Sequence, residues 1–360
     1  MRRRRSCNNV TVAIAALLWL GGCTAPRSPS WEAVAARSPA PAVAATGETA
    51  AVATANADAA DDPAIWRNPA DPAASLIVGT DKKAGLHVYR LDGRELFFVD
   101  AGRVNNVDLI ETRVAGAPAV LVAASDRNDP RAAHVALFTL DPTGRLRSLG
   151  TVPAGAGEAY GLCLAAHDGE TDAFMVAKDG TIRQLALDLS GAKPDARIVR
   201  TMKLSTQSEG CVVDPRTRRL YVAEEDAGIW RFDAARTAST EPVRLAAADG
   251  SRLVADVEGL ALAPAGASGG WLIASSQGDN AYALWDLATE AYAGRFRIGA
   301  GAFGATSETD GIAAATGDFG PDYPDGLFVA QDGDNRPAAQ NFKLVPWGAI
   351  ARTLALSPAR

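Results

Sequence analysis

Histidine and cysteine are nearly missing from this chain: three and four residues respectively among 360. His87, His134 and His167 stand far apart, and none lies in an Arg-His-Gly motif, which argues against a phosphohistidine mechanism. Cys163 and Cys211 are followed by no phosphate-cradling loop ending in Arg, which argues against a cysteine phosphatase. With no His or Cys cluster, zinc and copper lack their usual ligands. No run beyond the N-terminal region is long and apolar enough to span a bilayer. A basic excess is also lacking; the net charge is −6, so nucleic acid is not an expected partner. Asp318-Phe319-Gly320 echoes a kinase tripeptide, but no Gly-rich or catalytic loop accompanies it, and it reads as a turn.

The N-terminus carries targeting signals. Met1 is followed by four arginines, and residues 10–20 form an apolar run too short to cross a membrane. Leu20-Gly21-Gly22-Cys23 resembles a lipobox, in which Cys23 would carry a lipid. An ordinary secretory signal with a coincidental cysteine is the plainer alternative. Residues 1–22 are thus expected to be a lipoprotein-type signal peptide, and 23–50 an Ala/Pro/Ser-rich flexible tether. Thr24 after the cysteine favours the outer membrane. The expected location is periplasmic or at the cell surface, through a lipid anchor.

Repetition is what the rest of the chain has in abundance. Six short segments begin with polar or acidic residues and turn apolar: Asp61-Asp62-Pro63-Ala64, Asn105-Asn106-Val107-Asp108, Ala159-Tyr160-Gly161-Leu162, Ser208-Glu209-Gly210-Cys211, Val257-Glu258-Gly259-Leu260 and Thr309-Asp310-Gly311-Ile312. Each is followed by a second apolar strand with a polar end, a third strand, and usually a more polar fourth. A strand-only repeat of roughly 45–55 residues means propeller blades. Residues 51–355 are therefore expected to form one all-β domain, a six-bladed β-propeller. The last unit lacks an obvious fourth strand, and 49–54 could supply it and close the ring. Cys163 and Cys211 fall on innermost strands of neighbouring blades. They could be buried thiols or a disulfide; divergence of neighbouring strands favours free thiols.

In a propeller the loop entering the innermost strand and the loop joining the two middle strands share a face. One mouth then collects Asp61, Asp62, Asp108, Glu158, Glu209, Asp256, Glu258, Glu308 and Asp310 from the first set of loops. The second set brings Lys82, Lys83, Asp126, Arg127, Lys178, Asp179, Glu224, Glu225, Asp226, Asp279, Asp332 and Asp334. A single Asp at a strand end is an ordinary turn residue. Acids on nearly every blade of one face repel one another and call for a hard cation, with calcium the best fit. The lysines and arginine among them suit a multiply charged phosphate.

The motifs Asp61-Asp62-Pro63-Ala64-Ile65-Trp66, Lys82-Lys83-Ala84-Gly85-Leu86, Ala223-Glu224-Glu225-Asp226-Ala227-Gly228, Asp256-Val257-Glu258-Gly259-Leu260, Ser307-Glu308-Thr309-Asp310-Gly311 and Gln340-Asn341-Phe342-Lys343 resemble the β-propeller phytases, in order and spacing, from about Asp61 to about Ile350. The resemblance implies hydrolysis of phytate (myo-inositol hexakisphosphate), or its calcium complex, to lower inositol phosphates, with several calcium ions both structural and catalytic. It implies that Asp62, Glu209, Asp256 and Glu258 hold active-site calcium, that Lys82, Arg127, Tyr160 and Lys178 contact the substrate phosphates, and that Lys83 and Glu225 serve a neighbouring phosphate site. Asp310, Asp332 and Asn335 match positions around calcium sites on the last blades. The chain departs from the family at Ala313, where an acid is expected, and at Glu308, where Asp is common.

Phosphate monoesters hydrolyse slowly unaided, so charge neutralisation and positioning must do most of the work. A calcium-bound water is the expected nucleophile, with no protein nucleophile required. A propeller lactonase would share the calcium and the acids but not need Lys82, Arg127 and Lys178. A non-catalytic calcium- or polyanion-binding propeller would keep the blades without the water-holding acids. A monomer is expected.

Overall fold

The computed structural model describes residues 31–356. Six antiparallel sheets stand radially about a channel, as the repeats predict. Their innermost strands are Ala60–Trp66, Val104–Val114, Ala159–His167, Ser208–Asp214, Val257–Ala265 and Ile312–Thr316, for blades 1 to 6. In blade 1 the chain steps outward through Leu76–Asp81, Gly85–Arg90 and Glu95–Asp100. Blades 2 to 5 follow the same order.

The described residues have no single central core. Six apolar clusters each fill the wedge between two neighbouring blades. Leu86, Val88, Val122 and Phe138 lie between blades 1 and 2. Ile77, Tyr89, Leu327 and Phe342 lie between blades 6 and 1. Second and third strands are covered on both faces, so they read as nearly continuous apolar runs. Full burial of each such Leu, Ile, Val or Phe contributes about 1.5–3 kcal/mol.

The ring closes through the N-terminal segment. Gly47–Glu48 pairs antiparallel with Asn341–Pro346 of blade 6, in register Gly47↔Leu344 and Glu48↔Lys343. Backbone hydrogen bonds extend the pairing, from Thr46 N to Leu344 O (2.9 Å), Thr49 N to Phe342 O (2.9 Å) and Val52 N to Gln340 O (3.0 Å). The closing segment therefore overlaps the expected 49–54 and begins a few residues upstream of it. Ala42–Ala44 adds a fifth, parallel strand to blade 5, beside Tyr292–Gly299. Its centre, Val43, is buried in the wedge between blades 5 and 6. The stretch expected to be a free tether up to residue 50 is thus partly built into the propeller. Its Ala-rich composition hides strands of three and two residues whose partners lie about 250 to 300 residues away.

Two further features depart from the sequence reading. A seven-residue helix, Trp347–Thr353, follows blade 6 and buries Trp347 and Ile350 in the same wedge. It is too short for helical periodicity to reveal. Cys163 and Cys211 form a disulfide, with Cα atoms 5.7 Å apart. The divergence of neighbouring blades, which favours free thiols, does not hold here. Blades diverge outward; next to the channel the innermost strands converge, and both cysteines sit there. Among the described residues no helix is long and apolar enough to cross a membrane. The signal region and Cys23 lie outside the described residues.

Candidate active site at the channel mouth

Five of the six innermost strands enter through an irregularity; that of blade 6 pairs without one. The ladder shifts register between Ala60 and Pro63, Val104 and Val107, Ala159 and Gly161, Ser208 and Cys211, and Val257 and Leu260. Such bulges interrupt pairing and re-aim side chains. The re-aimed residues form one ring, a residue per blade: Asp61, Asn105, Tyr160, Glu209, Glu258 and, just before the strand of blade 6, Asp310. The next position is Asp62, Asn106, Gly161, Gly210, Gly259 and Gly311. A Cβ on Gly161, Gly210 or Gly259 would run into the carbonyl oxygen of Glu209, Glu258 or Asp310 on the next blade. Close approach of the strands thus explains the repeated acid-glycine pair.

The ring is tightly coupled. Asn105 Nδ2 donates to Glu209 Oε1 (2.6 Å) across the channel. Lys82, from the turn after the second strand of blade 1, places its ammonium 2.9 Å from Asp61 Oδ1, 2.9 Å from Asp310 Oδ2 and 2.8 Å from Asp58 Oδ1. Burial opposes its charge, but Asp61, Asp310 and Asp58 outweigh that and hold its pKa well above the ordinary lysine range. Gln277 Nε2 donates to the other oxygen of Asp310 (2.7 Å). Burial, then the charges of Asp61 and Asp310, push Glu209 well above the usual carboxylate range. Burial, then Glu209 and Asp310, do the same to Glu258. Asp310 is raised by burial against the pull of Lys82.

These are the marks of a cation site. Glu209, Glu225 and Glu258 offer carboxylate oxygens within 4.8 Å of one another. Asp61 Oδ2, Asn105 Oδ1 and Glu258 Oε2 are buried without a hydrogen-bond partner. A bound metal satisfies such oxygens and removes the repulsion that raises the pKa values. Every donor is a hard oxygen, so the set fits a hard divalent cation.

Above the ring lies a cationic wall. Lys178 Nζ stands 5.0 Å from the Tyr160 ring centroid, and Arg127 Cζ 6.0 Å. Gln207 Nε2 donates to Tyr160 Oη (3.3 Å) and to Glu225 Oε1 (2.7 Å), tying the wall to the acids. Arg127 Nη1 is 3.8 Å from Glu158 Oε1, and its Nε is buried without a partner. An open cleft of about 750 Å³ is lined by Lys82, Tyr160, Glu225, half-buried Asp256, Glu258 and Asp310.

The structure does not bring all the named residues here. Asp62 points one residue deeper, accepting from Val107 N (3.1 Å) and lining the lower channel beside Asp108 and Ala313. Its neighbour Asp61 holds the ring position. Blade 1 has no glycine after its acids, so the repeat pattern alone does not separate Asp61 from Asp62. Asp332 and Asn335 gather around Lys343, 3.2 Å from Asp332 Oδ2 and 3.1 Å from Asn335 Oδ1. That fully buried ammonium also pairs with Glu48 of the closing segment. Lys83 is exposed, and Glu308 lies on the surface with its N–H bonded to Asn280 Oδ1 (2.9 Å). Asn105, Gln207, Gln277 and Asp58 were not singled out. Asn105 opens the second repeat but is neutral, and only the folded mouth brings it together with Gln207, Gln277 and Asp58.

Fold and site together define a propeller whose buried carboxylate ring fits a hard cation, with Lys178 and Arg127 above it. The sequence profile of the phytase family matches residues 8–359. A 3-phytase from Bacillus subtilis (strain 168) is 38% identical over 318 residues, covering 84% of this chain and 82% of that protein. The chain belongs to the phytase family.

Proposed function

We propose that the protein releases phosphate from phytate, or calcium phytate, with calcium ions held by the ring at the channel mouth. The observation that carries this reading is the ring itself: buried carboxylates with unsatisfied oxygens beneath Lys178, Arg127 and Tyr160. The Bacillus relative's description as a 3-phytase supports the substrate. Calcium, when bound, supplies positive charge against the phosphate oxygens and acidifies water. Asp61, Glu209, Glu258 and Asp310 would hold it, with Glu225 and Asp256 at the rim. Lys82, 2.9 Å from both Asp61 Oδ1 and Asp310 Oδ2, aims these two carboxylates. Lys178 and Arg127 offer donors to the oxygens of a phosphate over the ring, where charge builds in the transition state. Lys83, exposed and next to Lys82 in the chain, would meet a phosphate that is not being cleaved. Phytate should lose phosphate in the presence of calcium and not after chelation, with recovery on adding calcium back. Turnover indifferent to chelator would overturn the calcium assignment. Release from simple esters but not phytate would overturn the substrate.

The same reading extends to location. Leu20-Gly21-Gly22-Cys23 supports a lipid anchor in the outer membrane. The protein should fractionate with membranes, and Cys23→Ser should release it or leave it unprocessed. A mature N-terminus other than a modified Cys23, seen by mass spectrometry, rules the anchor out.

A further inference from the structure

Each junction between neighbouring blades is pinned close to the ring. Val107 N donates to Asp62 Oδ2 (3.1 Å) between blades 1 and 2. Ser125 Oγ donates to Tyr160 O (2.6 Å) between blades 2 and 3. Val257 N donates to Glu225 O (3.0 Å) between blades 4 and 5, Gly259 N to Asp310 O (2.8 Å) between 5 and 6, and Gly311 N to Asp61 O (3.0 Å) between 6 and 1. At the junction of blades 3 and 4 the pin is covalent. Cys163 lies three residues after Tyr160, and Cys211 two after Glu209, so the bridge joins the strands that carry two adjacent ring members. Cys163 is buried, and Cys211, 9% exposed, lines the lower channel.

We propose that the Cys163–Cys211 disulfide is a positioning element of the ring, making calcium affinity and turnover depend on its oxidation state. The inference rests on the proposed calcium site. Glu209 and Tyr160 have no freedom to drift while their strands are joined directly beneath them. With the bridge open, the strands carrying Tyr160 and Glu209 can part at this junction. Reduction is balanced by a small dithiol entering through the channel. Its two thiols give up two electrons and two protons, the S–S bond becomes two cysteine thiols, and the dithiol closes to a cyclic disulfide.

The test uses the mature protein oxidised, reduced with dithiothreitol, and as Cys163→Ala/Cys211→Ala. Val88→Ala, in the wedge between blades 1 and 2, serves as a destabilised control away from this junction. The bridge is verified by mass spectrometry of an unreduced digest, and the fold by circular dichroism. Calcium binding is measured by calorimetry, and kcat and KM on phytate at 25 °C. Reduced protein and double variant should both bind calcium roughly tenfold more weakly or worse, as when outer-shell support of a metal site is lost. Both should lose kcat while folded, and Val88→Ala should lose melting temperature alone. Unchanged calcium affinity and kcat in folded reduced protein overturn the proposal, as does finding free thiols in protein isolated without reductant. Should the double variant not fold, reduction of the folded wild type decides. Oxidised wild type that binds no calcium overturns the calcium reading itself, an outcome distinct from binding that is indifferent to reduction.

Discussion

Glu209 and Lys83 represent two kinds of charge at one mouth. Glu209 is buried, bonded to Asn105 and crowded by Asp61 and Asp310. Lys83 is exposed, with only its backbone N–H tied, to Asp81 Oδ1 (3.0 Å). Glu209→Ala should cut kcat on every ester by on the order of 100-fold or more, as for loss of a group that orients a metal site. Lys83→Ala should raise KM for phytate by roughly fivefold, about 1 kcal/mol for an exposed ion pair, and spare kcat. A one-phosphate ester should not notice it, because binding shared by ground and transition states leaves the chemical step alone. Lys82→Ala belongs with Glu209: its ammonium serves Asp61 and Asp310, and kcat should fall on both substrates. Steady-state kinetics of the three variants on phytate and a monophosphate check this. Equal kcat losses for Lys83→Ala and Lys82→Ala on both substrates would erase the distinction.

At the scale of elements, the closing strand is the most exposed to test. Gly47–Glu48 covers the edge of blade 6, and Glu48 reaches Lys343, which would otherwise be a buried charge short of one partner. Losing Glu48 leaves that ammonium with Asp332, at a cost below the roughly 3–5 kcal/mol of a fully buried pair because Glu48 is partly exposed. A chain starting at residue 39 keeps both added strands and should melt near the full-length value. A chain starting at 51 loses Ala42–Ala44, Gly47–Glu48 and the Lys343 pairing. It should melt many degrees lower, at roughly 2–4 °C per kcal/mol for a domain of 150–250 residues, and expose an aggregation-prone edge. Thermal melts and light scattering of the two truncations measure this. Matching melts would mean that the ring does not depend on the N-terminal segment.

For the molecule as a whole, the mouth couples pH, metal and stability. Burial raises Asp108 from 3.8 to about 6, and burial with like charges raises Asp62, Glu209, Glu258 and Asp310 well above their ordinary values. A carboxyl with a raised folded pKa contributes stability below its unfolded pKa. That contribution is lost as pH rises through the folded value. Chelated protein should therefore melt higher at pH 5 than at pH 8. Calcium reverses this by binding the ionised carboxylates. At a hundred times its dissociation constant it adds about 2.7 kcal/mol per site, and its gain should be larger at pH 8 than at pH 5. Calorimetry across pH 5–8, chelated and with calcium, tests both signs. Chelated protein equally stable at both ends of the range would show that the ring does not store this repulsion.

The blades, their number and the face bearing the charge were legible in the sequence. Repeat period, strand alternation and turn residues are local, and each of the six copies states them again. Glu209, Glu258 and Asp310 could be named because each precedes a glycine at the same repeat position. The choice between Asp61 and Asp62 could not be made that way: adjacent strand residues face opposite ways, and a one-residue bulge decides which enters the ring. The Cys163–Cys211 bridge, the Lys343 cluster and the strands at 42–48 depend on segments 48 to about 300 residues apart. Sequence by itself determined what each blade is and which end of it is charged. Only the closed ring decided which charges meet, because distances across the channel are set by how six wedges pack.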